Sequence, residues 1–382
     1  MDLKELRRHL HKHPELSGNE SKTAEFIRQS IRQYNPDKII SGIGGHGLAV
    51  IFDFTGNHRS DQRAEYPTVM FRAELDALPI AETNNFSYRS SFQNISHKCG
   101  HDGHMAILIG LADMISRTKP KLKIILLFQP AEEIAAGAKL VIQDHEFMKL
   151  KPDYIFALHN LPRYEKGSVL IRKGIFSSTS IGMIVTLKGE TSHAGHPENG
   201  NNPTSAMIEI IRRLMAIPEQ FSEFALLTVI YAKLGEIAFG TSPGEAVIMA
   251  TLRAHEKNTL ESMQTMAENL TEKAATAQNL AFNIEWVEYF PEIINNNEAV
   301  NIVEKAALNL NKKIIKPEQP FAWTEDFSWF TQQIKGAFFG LGAGIEHPQL
   351  HNADYDFPDE ISRTGSEIFF EIIREICKRE KI

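Results

Sequence analysis

Cysteine is nearly absent from this chain: Cys99 and Cys377 are the only two in 382 residues, and they lie far apart. Two cysteines build no disulfide framework, so the fold rests on its core, and the expected address is a reducing compartment, the cytoplasm. Long apolar runs are missing too. The longest, such as residues 124–128, are of strand length and far short of the ~20 residues a membrane span needs. The opening MDLKELRRHLHKHPELS is charged at once and has no apolar stretch of signal-peptide length. Positive charge is in deficit: 41 Lys and Arg against 48 Asp and Glu leave −7. Such a chain carries no electrostatic footprint for nucleic acid or an anionic membrane, and neither is expected as a partner. No internal repeat or low-complexity tract is visible. What is present is an ordinary globular composition, 42% hydrophobic and 23% charged, in a chain long enough for one large or two moderate domains.

The apolar patterning predicts helix over residues 3–12, ended by Pro14. Ser17–Glu20 has capping-box spacing, before a helix over 23–33. The glycine-rich run 42–47 reads as a turn before a strand at 48–54. It lacks the GK[ST] ending of a phosphate loop. Residues 56–66 read as a polar surface loop. Strands are expected at 69–73, 123–128 and 154–158, with helices at 104–116 and 137–143. That alternation argues for a largely parallel sheet. From about residue 177 the order becomes strand 181–187, helix 203–216, strands 226–234 and 246–254, helix 259–275 and strand 281–288. This β-α-β-β-α-β order is the ferredoxin-like pattern. The chain closes with a helix at 359–379. The expected organisation is an α/β domain formed by residues 1–177 and 291–382, interrupted by an inserted α+β domain at 178–290.

The densest chemistry is Cys99-Gly-His101-Asp102-Gly-His104. Cys99 and His101 stand two apart, which in an extended segment sends both side chains the same way, and thiolate and imidazole both suit zinc-like ions. Other ligand types stand where strands end: Glu132-Glu133 after 124–128, and His159-Asn160 after 155–158. Outside the carboxyl ends of parallel strands is where sites gather. Two adjacent buried carboxylates repel unless a cation binds one and leaves the other as a base. His351 lies in a Gly/Pro/Asp-rich loop, and His193 in a Gly/Pro-rich turn of the inserted segment. Taken singly, each of these has a plain structural explanation: a helix start for the glutamates, a solvated loop for the histidines.

Taken together the runs resemble the M20 metallopeptidase family, and within it subfamily D, the aminoacylase, hippurate and auxin-conjugate amidohydrolase branch. The resemblance spans nearly the whole chain. It is carried by Arg8-His-Leu-His11, Pro14-Glu-Leu-Ser17, Arg72-Ala-Glu-Leu-Asp76-Ala-Leu-Pro79, Cys99-Gly-His-Asp-Gly-His104, Gln129-Pro-Ala-Glu-Glu133, Leu158-His-Asn160, His193-Ala-Gly-His-Pro197, Thr324-Glu-Asp-Phe327 and Leu350-His-Asn352. The resemblance implies that Cys99, His101, Glu133, His159 and His351 ligate two divalent ions, zinc or manganese first, nickel or cobalt also fitting. It implies that Glu132 is the general base and that His193 steadies the oxyanion, reaching the site of the partner subunit in a homodimer paired through the inserted domain. Asp76, and similarly Asp102, would brace the ligands. The implied reaction is hydrolysis of the amide bond of a small N-acyl amino acid. A dipeptidase or carboxypeptidase with the same dinuclear site is the near alternative, and a non-catalytic binding protein on the same fold the distant one. Two departures bear on substrate: Glu74 where many members have Asp, and Gly240-Thr-Ser-Pro243 in place of Asn-x-Ile-Pro. Arg253, on the following strand, is either a carboxylate anchor or a structural arginine.

Overall fold

The computed structural model describes residues 2–56 and 66–382; most of the expected polar loop, residues 57–65, lies outside them. The chain divides into two compact units. One comprises Met1–Phe176, Ile293–Gln319 and Glu325–Ile382; the other comprises Ser177–Glu292 with the short segment Pro320–Thr324.

The first unit is built on an eight-stranded sheet. Its order runs Lys38–Ile43, Gly47–Asp53, Lys123–Gln129, Thr68–Glu74, Tyr154–Pro162, Lys335–Gly344, Val169–Leu170 and Ile314–Ile315. The four central strands are mutually parallel. They are buried nearly throughout, which is why they read as unbroken apolar runs rather than alternating ones. Tyr154–Pro162 outruns its apolar run by four residues, because His159 to Pro162 keep their pairing with Lys335–Gly344. The glycine-rich run 42–47 is the tip of the hairpin joining Lys38–Ile43 to Gly47–Asp53.

The helix His101–Thr118 is buried over most of its length. It starts from Gly100 at φ 95° and stops at Lys119 in the left-handed region, just before Pro120. It packs against Leu3–Lys12 and Glu360–Glu380. Glycines permit the close crossing: a Cβ on Gly365 would come within 2.6 Å of Ile107 Cδ1. The expected capping box does not form. The helix Ser21–Ile31 begins after Glu20 without a side-chain cap. Ser17 Oγ is instead drawn to Asp76 Oδ2 at 2.7 Å. Glu20 accepts from the amides of Gly18 and Ala131.

The second unit has its own core. Its antiparallel sheet runs Ala225–Leu234, Glu245–Ala254, Thr179–Lys188 and Ala281–Phe290, and the helices Thr204–Met215 and Lys257–Thr276 pack on it. Alternate residues of Glu245–Ala254 are buried from Ala246 to Ala254, the period-two pattern of a strand with one covered face. With its strands and helices in the order β-α-β-β-α-β, this is the ferredoxin-like arrangement.

Candidate metal centre

The carboxyl ends of the four parallel strands supply the site. Asp76 follows Thr68–Glu74, Glu132 and Glu133 follow Lys123–Gln129, His159 ends the apolar stretch of Tyr154–Pro162, and His351 follows Lys335–Gly344. Cys99 and His101 come from the start of the helix His101–Thr118. Cys99 Sγ lies 3.3 Å from His159 Nε2. His101 Nε2 lies 3.8 Å from both Glu132 Oε2 and Glu133 Oε1. His351 Nε2 lies 3.8 Å from Glu133 Oε2. Of the five triads of described residues whose donor atoms are close enough to share an ion, three are made of these residues: Cys99–His101–His159, Cys99–Glu133–His351 and His101–Glu132–Glu133.

The protonation of two of the imidazoles follows from their partners. A carbonyl can only accept, so His101 Nδ1 donates to Asp76 O at 2.9 Å and His159 Nδ1 donates to Asn160 O at 2.9 Å. Each ring therefore turns its Nε2 toward the site, the nitrogen that a metal-ligating histidine braced in this way would use. His104, by contrast, is engaged at both nitrogens: Nδ1 on Glu74 Oε2 at 2.6 Å, and Nε2 accepting from the Asn160 amide. Glu74 also takes a hydrogen bond from Arg72. The Glu74 carboxylate thus joins His104 to Arg72.

The electrostatics are those of a site short of positive charge. Burial, then the neighbouring Glu325, Glu133 and Asp326, pushes the Glu132 carboxyl well above the usual carboxylate range. Burial pushes Glu133 up to about 7, against the opposing pull of His101. Burial and the two glutamates push the Cys99 thiol well up. His101 is lowered by burial but raised more by Asp76 and Glu74, to about 10. His101 Nε2 and Glu133 Oε1 are buried with no hydrogen-bond partner among the described residues. Unpaired buried atoms of this kind are costly, at about 1–3 kcal/mol each. A divalent cation among two imidazoles, a thiol and a carboxylate resolves each of these conflicts, so the donor set fits one.

Asp76 braces the centre: its carbonyl holds His101, and its Oδ2 accepts from the Glu133 amide at 3.0 Å. Asp102 does not. It is turned into a buried cluster with Arg7 and His11, at 3.2 and 2.9 Å, because on a helix it points away from its neighbour His101. Sequence reasoning gave no role to Glu325 and Asp326. Both are buried and tied to Arg72 at 2.9 and 2.7 Å, and their carboxylates approach Glu132. The available signal was a charged Arg72 directly after the apolar run 69–71 of the strand Thr68–Glu74.

His193 belongs to the second unit, where it is exposed. It lies in a two-residue strand, Ser192–His193, paired with Thr241–Ser242, rather than in a turn without regular structure. The ribbon therefore joins it to the departing segment Gly240–Pro243. Its Nδ1 accepts from the Gly195 amide at 3.0 Å, so the ring proton sits on Nε2. Arg253 donates to Thr324 Oγ1 at 3.2 Å within the same unit.

Residues 70–375 match the family described as Peptidase family M20/M25/M40. The chain belongs to this family. Among its M20 relatives, N-acetyl-L-cysteine deacetylase of Bacillus subtilis (strain 168) is 32% identical over 361 residues, 91% of this chain and 82% of its own. Hippurate hydrolase of Campylobacter jejuni is 28% identical over 385 residues, 99% of this chain and 97% of its own. A crystal structure of a Bacillus subtilis M20 protein, described as a dinuclear metal binding peptidase, superposes with a TM-score of 0.81 at 26% identity, covering 100% of this chain and 98% of that one. The M20 resemblance carried by the sequence motifs is thereby shown, and the protein is a hydrolase of that family.

Proposed function

We propose that this M20 enzyme hydrolyses the amide bond of small N-acyl amino acids at a dinuclear metal centre held by Cys99, His101, Glu133, His159 and His351. The observation that carries this reading is the convergence of those five donors, with His101 Nε2 and Glu133 Oε1 left unpartnered. Two divalent ions, zinc or manganese, with nickel or cobalt also fitting the donors, would when bound polarise the amide carbonyl and acidify water. The chain's own residues do the rest. Glu132 accepts a proton from the attacking water as the new C–O bond forms. It then delivers that proton to the nitrogen as the C–N bond breaks, giving a carboxylic acid and an amine. His193, whose ring proton sits on Nε2, is assigned as the donor to the developing oxyanion.

The acyl amino acid specificity follows the named activities of the relatives, which include N-acetylcysteine and N-acetyldiaminopimelate deacetylases as well as hippurate hydrolase. The inserted segment, residues 178–290, is assigned as a lid that pairs two subunits into a homodimer and brings His193 to the partner's centre. Its edge strand Ala225–Leu234 supports pairing. That strand has a neighbour on one side only and exposes Leu226, Ile230, Tyr231 and Leu234. The cytoplasm is the assigned compartment; no described helix is long and apolar enough to cross a membrane.

The deciding experiment is a hydrolysis screen of acetyl, benzoyl and indole-acyl amino acids against dipeptides, with metal content measured on the same preparation. Cleavage of the acyl amino acids, with about two ions per chain, is expected for the dinuclear centre proposed here. Preference for dipeptides would move the protein to the peptidase side of the family. No hydrolysis of either by metal-loaded protein would sink the reading.

A further inference from the structure

His101 and His159 have rings fixed by their own hydrogen bonds to carbonyls. His351 does not. Its side chain is 52% exposed, and no hydrogen bond reaches its ring among the described residues. Its backbone also sits in the left-handed region at φ 65°, where a residue with a Cβ must be held by its surroundings. If this imidazole is to meet an ion, its main chain has to be held in place.

The Thr83 amide and the Asn84 side chain hold the middle of the loop, at Ala353 O and Asp354 O, and Lys98 holds its two ends. The Lys98 carbonyl accepts from the His351 amide at 2.8 Å. The Lys98 ammonium, wholly buried, donates to the Tyr355 carbonyl at 2.7 Å and to Glu82 Oε1 at 2.5 Å. Lys98 thus grips the loop at both ends of the 351–355 stretch, while being joined by a peptide bond to Cys99. Glu82 is in turn held by His11 at 2.9 Å. A buried ammonium is costly to keep and is retained where its donors are needed. We propose that Lys98 is a positioning residue of the metal centre, a clamp that sets the distance between Cys99 and His351 and so governs the ion those two share with Glu133. This rests on the metal-centre reading given above. The clamp makes the two ions unequal: losing it should weaken the one that uses His351 and spare the one held by the self-braced His101 and His159.

The test is zinc binding to the full chain, followed by competition with a chromogenic chelator. It compares wild type, Lys98→Met, His351→Ala, the pair Lys98→Met/His351→Ala, and Lys98→Met/Glu82→Gln, in which no carboxylate is left stranded. Near-ultraviolet circular dichroism and melting of the zinc-free proteins report the fold. Lys98→Met is expected to lower the affinity for one zinc by about 10–100-fold, the usual effect of losing a residue that orients a ligand. The second zinc should bind as in wild type, and adding Lys98→Met to His351→Ala should cost nothing further. Three results would overturn the clamp: equal weakening of both zincs, additive losses in the pair, or a neutralised Lys98→Met/Glu82→Gln chain that does not fold. Wild type that binds no zinc would remove the metal centre itself, an outcome separable from the others because it appears before any substitution is made.

Discussion

At the scale of single residues, the proposed function separates groups assigned to hold ions from a group assigned to move a proton. Glu132 and Glu133 are neighbours in sequence, yet only Glu133 has its amide tied to Asp76 and both of its oxygens facing imidazoles. Glu132→Gln is therefore expected to keep its metal and its fold while turnover falls by roughly 10²–10⁴-fold. Glu133→Ala should lose metal first. Near-wild-type kcat in Glu132→Gln would assign the proton to another group. Cys99→Ser should lower metal occupancy, and exhaustive chelation should abolish activity until a divalent ion is restored. Activity surviving in metal-free protein would contradict the proposal. A third residue gives a pH signature remote from the ions. Burial opposes charge on His11, but the hydrogen bonds it donates to Asp102 and Glu82 outweigh it and raise its pKa to about 9 from 6.5. A raised pKa means that the folded state binds the proton more tightly. The stabilisation is complete below about pH 6.5 and is lost as pH climbs through about 9, amounting to about 3 kcal/mol. Denaturant titrations of wild type and His11→Gln across that window should converge at the alkaline end; parallel curves would show that His11 stays neutral.

At the scale of elements, the helix His101–Thr118 and the four parallel strands form the platform, and one close fit is the crossing at Gly365. Gly365→Val should cost about 1–3 kcal/mol by overpacking against Ile107, read from the denaturation midpoint, and should reduce metal affinity because the same helix starts at His101. An unchanged midpoint would mean that the crossing has slack. The platform was legible because its strands are continuous apolar runs, and the helices Leu3–Lys12 and Gly137–Gln143 fall where patterning puts them. Lys38–Ile43 was not legible: it is a half-exposed edge strand with no clear alternation. Of the site, the Cys-Gly-His and Glu-Glu runs were readable as ligand types at strand ends. Lys98, Glu325 and Asp326 were not, since charged residues are taken as surface until a fold shows them paired in the interior. The capping box of Ser17 and Glu20 failed for the same reason, because local spacing cannot register a partner such as Asp76, distant in sequence.

At the scale of the molecule, the assignment of His193 to the partner's centre has a direct test in mixed subunits. His193→Ala and Glu132→Ala chains should each be nearly inactive alone. After exchange, half of the dimers are mixed and each keeps one intact composite site of two, so roughly a quarter of wild-type activity should return. No recovery despite verified exchange would place His193 in its own subunit's service or outside catalysis. The central sheet has a separate consequence, one of timing. Lys335–Gly344 sits between Tyr154–Pro162 and Val169–Leu170, but the ribosome makes it only after the whole second unit. Until then Tyr154–Pro162, buried along all nine residues in the finished sheet, has one flank unpaired. The second unit has its own core and can fold early, while the first waits with a sticky edge exposed. Nascent chains halted between the two units should therefore be a target for chaperones, and chains halted after Lys335–Gly344 much less so.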